Sequence, residues 1–232
     1  MPNIGFFAHP FNYINRYRKI ASVLVKYGFG DLLSSINAAR YLPLVGSKKK
    51  ARKEGKKEEV QKLTRYERMR LVLEELGPTF IKFGQIMSNR PDLLPVDLIT
   101  ELEKLQDKVP PFEAEKAKAI IKEELGDTAD NLFQKFEAEP FSSASIAQVH
   151  FAELKTGEQV VVKVQRPDIK SLVQTDVEIM QDLAVLIERH IPSLAVFDPV
   201  GQVDAFNKTI KKEMNFNLEA GYIERCQSHF TD

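Results

Sequence analysis

Apolar residues return every three or four positions over residues 58–76, where Val60, Leu63, Tyr66, Met69, Leu73 and Leu76 mark one side of a helix. The next stretch, LGPTFIKFGQIMSNRPDLLP (76–95), predicts a second helix, with Pro78 in its first turn and Pro91 beyond its end. Phe80, Ile81, Phe83, Ile86 and Met87 wrap widely round that helix, so much of it should be buried. Lys82, Gln85 and Asn89 form a narrow polar stripe at i, i+3 and i+7. Gly84 costs roughly 1 kcal/mol relative to Ala inside a helix. A buried Lys needs a partner, so the stripe is either a wet face or is aimed at something. PVDLITELEKLQDKVPP (95–111), with Leu98, Leu102 and Leu105 on one face, predicts a third helix. FEAEKAKAIIKEELG (112–126) predicts a fourth, acidic at its start and closed by Gly126.

At about residue 131 the texture changes. LFQKFEAEP, SSASIAQVHFAEL and EQVVVKVQRP read as three short strands, and Lys155–Thr156–Gly157–Glu158 as the hairpin turn between the second and third. Helices resume at Thr175, which has capping-box spacing to Glu178, and run to His190–Pro192. Asp198–Pro199 reads as the cap and first position of a long final helix, with Val203, Phe206, Ile210 and Met214 on its buried face. Upstream, Tyr17, Ile20, Val23, Leu24, Tyr27, Phe29, Leu32 and Leu33 predict one or two short helices in 14–45, broken near Gly28–Gly30.

Composition narrows the classes. With 43% hydrophobic and 28% charged residues over 232 positions, the chain can bury a real core. A single cysteine, Cys226, rules out an internal disulfide framework, and four scattered histidines supply no zinc site. No run reaches the roughly 18 apolar residues of a membrane-spanning helix, and the Phe-containing N-terminus has no continuous apolar core for a signal peptide. A cytoplasmic protein is expected. The net charge is zero only in sum, because residues 1–57 hold 12 basic and two acidic residues, a net of +10 that the remainder balances. KKKARKEGKK (48–57) reads as a solvated connector. Its alternatives are an interfacial anchor on anionic lipid or a nucleic-acid patch, which the lack of interleaved aromatics disfavours.

Strand, small-residue loop, strand, turn, strand with a central Lys, then helices bearing a Glu is the order of parts in a kinase-type nucleotide lobe. A loop of small residues lets backbone N–H groups approach phosphates, the strand Lys meets their charge, and the Glu orients the Lys. Here these parts are SSASIAQ (142–148), Lys163 and Glu219. Taken singly, each is more often an ordinary turn, a solvent-facing Lys or a solvated Glu.

The combination PFSSASIAQVHFAEL, VVVKVQRP and LGPTFIKFGQIMSNRPDLLP resembles the UbiB-type atypical kinases, the aarF-domain family associated with ubiquinone biosynthesis. The resemblance is dense from about residue 58 onward and looser over 14–45, where RYRKIASVLVKYGFGDLL fits the family's start. Its specific motifs are S-I-A-Q-V (Ser145–Val149) and K-x-G-Q (Lys82–Phe83–Gly84–Gln85).

The resemblance implies an α+β fold: a kinase-like N-lobe with a small antiparallel sheet, preceded by a helical extension carrying the K-x-G-Q helix. The segments would be a basic N-terminal part (1–57), the helical extension (58–130) and a partial N-lobe (131–232). It implies ATP or ADP with Mg, held by Lys163, Glu219 and the loop Ser143, Ala144, Ser145, Ile146 and Ala147. Lys82, Gly84, Gln85, Glu213 and Asn215 would form an autoinhibitory cover, Lys82 pairing with Glu213. On one continuous helix, Glu213 and Glu219 would lie about 120° apart and so serve two different Lys residues. The sequence departs from the family pattern at Asn215, where E-x-D has its second acid, and mildly at Ser142–Ser143. The family's second lobe, with its catalytic and metal-binding acids, has no counterpart here, so the chain as given is expected to be inert unless another chain supplies that half. The implied role is support of prenyl-lipid biosynthesis at the inner face of a membrane, with residues 1–57 touching anionic membrane or prenyl lipid. The alternative is a non-catalytic membrane-lipid or partner-binding module that keeps the lobe as a scaffold.

Overall fold

The structure, a computed structural model, describes residues 11–36, 62–105 and 109–230. It forms two compact units, one of residues 1–105 with 173–232 and one of residues 106–172.

The larger unit is helical. Helix α1 (Phe11–Lys26) and the short α2 (Gly30–Ser35) are separated by a break at Gly28, whose φ of 83° suits glycine. Their apolar residues Ala21, Leu33 and Ile36 pack with Leu186. Helix α3 (Arg65–Leu76) opens on a reciprocal capping box between Thr64 and Glu67, a T-x-x-E signal that fixes the start later than the apolar period alone suggests. Helix α4 (Pro78–Ser88) starts at the expected proline, and α5 (Val96–Leu102) follows. Ile81, Leu98, Leu102 and Leu105 form a buried cluster with Tyr66, Met69 and Leu73 packed on it. The expected third helix is therefore shorter than 95–111, although Leu105 is still buried.

Two helix boundaries correct the sequence reading. Helix α8 (Ile169–His190) begins six residues before Thr175, because Ile169, Val173, Val177, Met180 and Ala184 extend the buried stripe to its start. After α9 (Pro192–Ala195), α10 (Pro199–Glu213) begins as predicted, with the Asp198 side chain accepting from the Gly201 N–H at 3.1 Å. It does not continue as one long helix. The backbone breaks at Asn215, whose side chain accepts from the Asn217 N–H and caps a separate helix, α11 (Phe216–Ser228).

The smaller unit holds α6 (Ala114–Leu125), α7 (Ala129–Leu132) and an antiparallel sheet of β1 (Phe133–Phe136), β2 (Ser142–Ser143), β3 (Ala147–Leu154) and β4 (Gln159–Gln165). Strand β3 is central, with β4 paired along one side and β1 and β2 end to end along the other. The predicted middle strand is thus split in two at 144–146, and its first part joins the edge started by β1. The predicted hairpin turn closes through Gly157 at φ 92°, with the Gly157 N–H donating to the Leu154 carbonyl. Ala117, Ile121, Phe133, Ala152 and Val164 make the core beneath the sheet.

Candidate functional site

Side-chain alternation decides what each face of the sheet can do. In β3 and β4, Ala152, His150 and Val164 are turned to the core. Val149, Phe151, Val161 and Lys163 share the opposite face, and the register places Val149 across from Lys163 and Phe151 across from Val161. Val161 and Phe151 are 60% and 41% exposed, and Phe141 joins them with its ring centroid 4.7 Å from that of Phe151. An apolar patch beside a lysine is an unusual thing to leave on a sheet surface.

At one end of that face lies the loop between β2 and β3. The Ala144 N–H donates to the Ala147 carbonyl at 2.8 Å, closing a tight turn of small residues. Ser145 and Ala147 are buried. The turn presents no bulky side chain except Ile146, so backbone can come close to a ligand there. Behind the loop, the fully buried Gln148 grips the backbone of Phe112 through both its amide atoms, at 3.1 and 3.3 Å. His150 lies between Gln148 and the Glu137 carbonyl, at 2.8 and 2.7 Å. The Q of S-I-A-Q-V is therefore a structural anchor facing the core.

The K-x-G-Q residues lie in the helical unit. Lys82 Nζ is 2.8 Å from Glu213 Oε1, so the Lys82 end of the stripe on α4 is aimed at a carboxylate, while Asn89 at its other end is exposed. The Lys82 side chain is 19% exposed and that of Glu213 35%. The other Glu213 oxygen is enclosed with no hydrogen-bond partner among the described residues. Phe83 meets Phe206 of α10 edge to face, with centroids 5.3 Å apart, which fixes the two helices that carry the ion pair. Gln85 donates to the Leu105 carbonyl at 3.2 Å, and Asn89 donates to the Gln85 carbonyl at 3.0 Å. Gly84 is packed on Leu73, Leu102 and Leu105.

Asn215 and Glu219 fall where the helix break puts them. Asn215 is a helix cap, and Glu219 lies in the first turn of α11, on an exposed stretch. The angular argument that relates Glu213 to Glu219 on one helix does not hold, because α10 ends between them. Lys163 belongs to the sheet unit and Glu219 to the helical unit. Among the described residues no group of three His, Cys, Asp or Glu side chains is arranged to hold a metal ion.

A further residue of this region has no counterpart among the predicted ones. Arg166, just past β4, reaches Ala144, Ser143, Val109 and Pro110 at once. Its place in VVVKVQRP looks like an ordinary strand end, and only the folded loop reveals its contacts.

A small antiparallel sheet with a surface lysine, a small-residue loop and a helical extension is the arrangement expected of an atypical kinase-like protein. The chain belongs to the ABC1 atypical kinase-like domain family, whose model matches residues 104–232. It is 42% identical over 217 residues to the probable protein kinase UbiB of Aeromonas hydrophila subsp. hydrophila, covering 93% of this chain and 39% of that protein. It is 41% identical over 218 residues to the probable protein kinase UbiB of Pseudomonas aeruginosa, covering 94% and 40%. The chain thus spans about two fifths of the length of these relatives. Among solved structures, it is similar to Rv3197 of Mycobacterium tuberculosis, solved with erythromycin, at 26% identity and a TM-score of 0.47. That match covers 78% of this chain and 46% of the other.

Proposed function

We propose that the sheet unit binds an adenine nucleotide, ATP or ADP, as part of an atypical kinase or ATPase that supports ubiquinone biosynthesis. The observation that carries this reading is the single face shared by Val149, Phe151, Val161 and Lys163. Its apolar part suits a flat base, and Lys163 stands where phosphate charge would come. The loop Ser143, Ala144, Ser145, Ile146 and Ala147 would meet the phosphates along its backbone, with the Ala144 N–H already given to the Ala147 carbonyl, and Glu219 would orient Lys163. Lys82 with Glu213, positioned by Gly84, Gln85 and Asn215, would form the cover that keeps a protein substrate out. Mg and the nucleophile-positioning acids would come from the rest of the length that the relatives have, or from another chain. The isolated 232 residues are therefore expected to bind nucleotide without turning it over.

The test is the thermal midpoint with and without Mg-ADP, repeated on Lys163→Ala. Ligand at 100 times its Kd adds about 2.7 kcal/mol. A rise in the wild type that disappears in the mutant supports the reading. An equal rise in both, or none in the well-folded wild type, overturns it for this chain.

A second reading, a lipid-binding module with the lobe as scaffold, draws on a different observation. The helical unit contains a hollow of about 510 Å³ with an almost wholly apolar lining, including Met69, Phe83, Met87, Met180 and Val203. A prenyl chain would find more apolar surface there than along α1 and α2, whose Tyr17, Ile20, Val23 and Leu33 are already buried in the protein. Val25 is exposed on the same segment, and residues 1–10 and 37–57 of the expected anchor lie outside the described ones.

A further inference from the structure

Arg166 is a half-buried cation whose partners among the described residues are all neutral. Its Nε donates to the Ala144 carbonyl at 2.9 Å. One terminal nitrogen, Nη2, donates to Ser143 Oγ at 2.8 Å, the Pro110 carbonyl at 3.0 Å and the Val109 carbonyl at 3.3 Å. The guanidinium also sits 5.7 Å from the centroid of the Phe112 ring. Its own backbone N–H donates to the Ile146 carbonyl at 2.9 Å. Together with the Ala144–Ala147 turn, these contacts engage the carbonyl oxygens of Ala144, Ile146 and Ala147.

This arrangement has two consequences for an anion at the loop. Carbonyl oxygens that are tied up at the side of Arg166 do not present their negative ends to a phosphate. The charge itself is the second. Burial lowers the Arg166 pKa from its ordinary value, and no carboxylate among the described residues pairs with it to offset that cost. A guanidinium that braces the loop with no carboxylate paired to it among the described residues keeps its charge available to an anion bound there.

We propose that Arg166 is the positioning residue of the anion-binding loop 143–147, holding its carbonyls inward and supplying a fixed positive charge to the phosphates of a bound nucleotide. The proposal rests on the nucleotide reading above for its ligand. It also ties loop shape to the docking of Val109 and Pro110, since the same nitrogen serves both.

The experiment titrates the full chain with adenosine, Mg-ADP and inorganic pyrophosphate, in wild type, Arg166→Met and Arg166→Lys, with each variant's fold checked by circular dichroism. Arg166→Met is expected to weaken ADP and pyrophosphate by about tenfold or more while leaving adenosine within about twofold. Arg166→Lys, which keeps the charge and loses the fork, should recover part of that loss. A uniform loss for adenosine and ADP would mean a merely structural role and overturn the proposal, as would unchanged ADP binding in Arg166→Met. If wild type binds pyrophosphate in an Arg166-dependent way but not ADP, the nucleotide reading fails and the loop proposal stands. If it binds neither anion, both fail. Should Arg166→Met not fold, the Arg166→Lys comparison decides: undiminished phosphate affinity relative to adenosine would overturn the fork's role.

Discussion

Gly84 stands at the closest approach between α4 and its neighbours. A Cβ built there would meet Leu105 Cδ1 at 2.4 Å and Leu73 Cδ1 at 2.7 Å, both within the buried cluster around Ile81. Overpacking of that kind costs about 1–3 kcal/mol, against about 1 kcal/mol that Ala recovers in helix propensity. With a net cost of about 1 kcal/mol, Gly84→Ala should therefore lower the thermal midpoint by roughly 2–4 °C. An unchanged or raised midpoint would show that the leucines yield freely. The sequence flagged this glycine as a cost without a reason; the reason is a neighbour about twenty residues away. Lys82 was legible in the opposite sense, since its apolar surroundings demanded a partner and Glu213 is that partner. With both side chains partly exposed, the pair contributes at most about 1 kcal/mol. Its use lies in geometry more than in stability.

Among the elements, α1 shows how charge places a helix. Tyr13 donates to Asp182, and Arg16 holds the buried Asp176 with contacts of 2.5 and 2.8 Å and also donates to the Leu76 carbonyl at 2.8 Å. Burial, with the Asp182 carboxylate beside it, pushes the Tyr13 phenol well above its usual range. The folded state therefore keeps a proton that the unfolded chain releases near pH 10. The resulting stability is complete below about pH 10 and is lost as pH rises beyond it. Denaturant unfolding from pH 8 to 11 should show a decline above about pH 10 that is smaller in Tyr13→Phe. Identical slopes in the two proteins would exclude Tyr13 as a source. None of these pairs could be read from the sequence, because Tyr13 and Arg16 look like the outward residues of a basic amphipathic segment. The helix break at Asn215 was missed for a local reason: the apolar period of α10 continues through Met214, while the capping side chain that ends it is one polar residue.

For the molecule as a whole, the two functional readings separate by where a ligand's effect originates. A C15 isoprenoid alcohol such as farnesol should bind the hollow and raise the thermal midpoint, and Val203→Arg, which places a charge in the lining, should abolish that rise while leaving any Mg-ADP effect intact. Equal responses to farnesol in wild type and Val203→Arg would remove the hollow as a lipid site. A farnesol rise in a chain that ignores Mg-ADP would favour the scaffold reading.

At this scale the sequence by itself determined the α+β class, the position of most helices, the strand that carries Lys163 and the family motifs, because each depends on local period, caps and turn residues. The pairing of Lys82 with Glu213 was implied only by the family resemblance, because the polar stripe alone left a wet face open. Only the tertiary structure decided that residues 173–232 join 1–105 in one unit, that the middle strand splits around the loop, and that Arg166 braces that loop. Those features depend on which distant backbone carbonyls and side chains come within about 3 Å, and no local period records that.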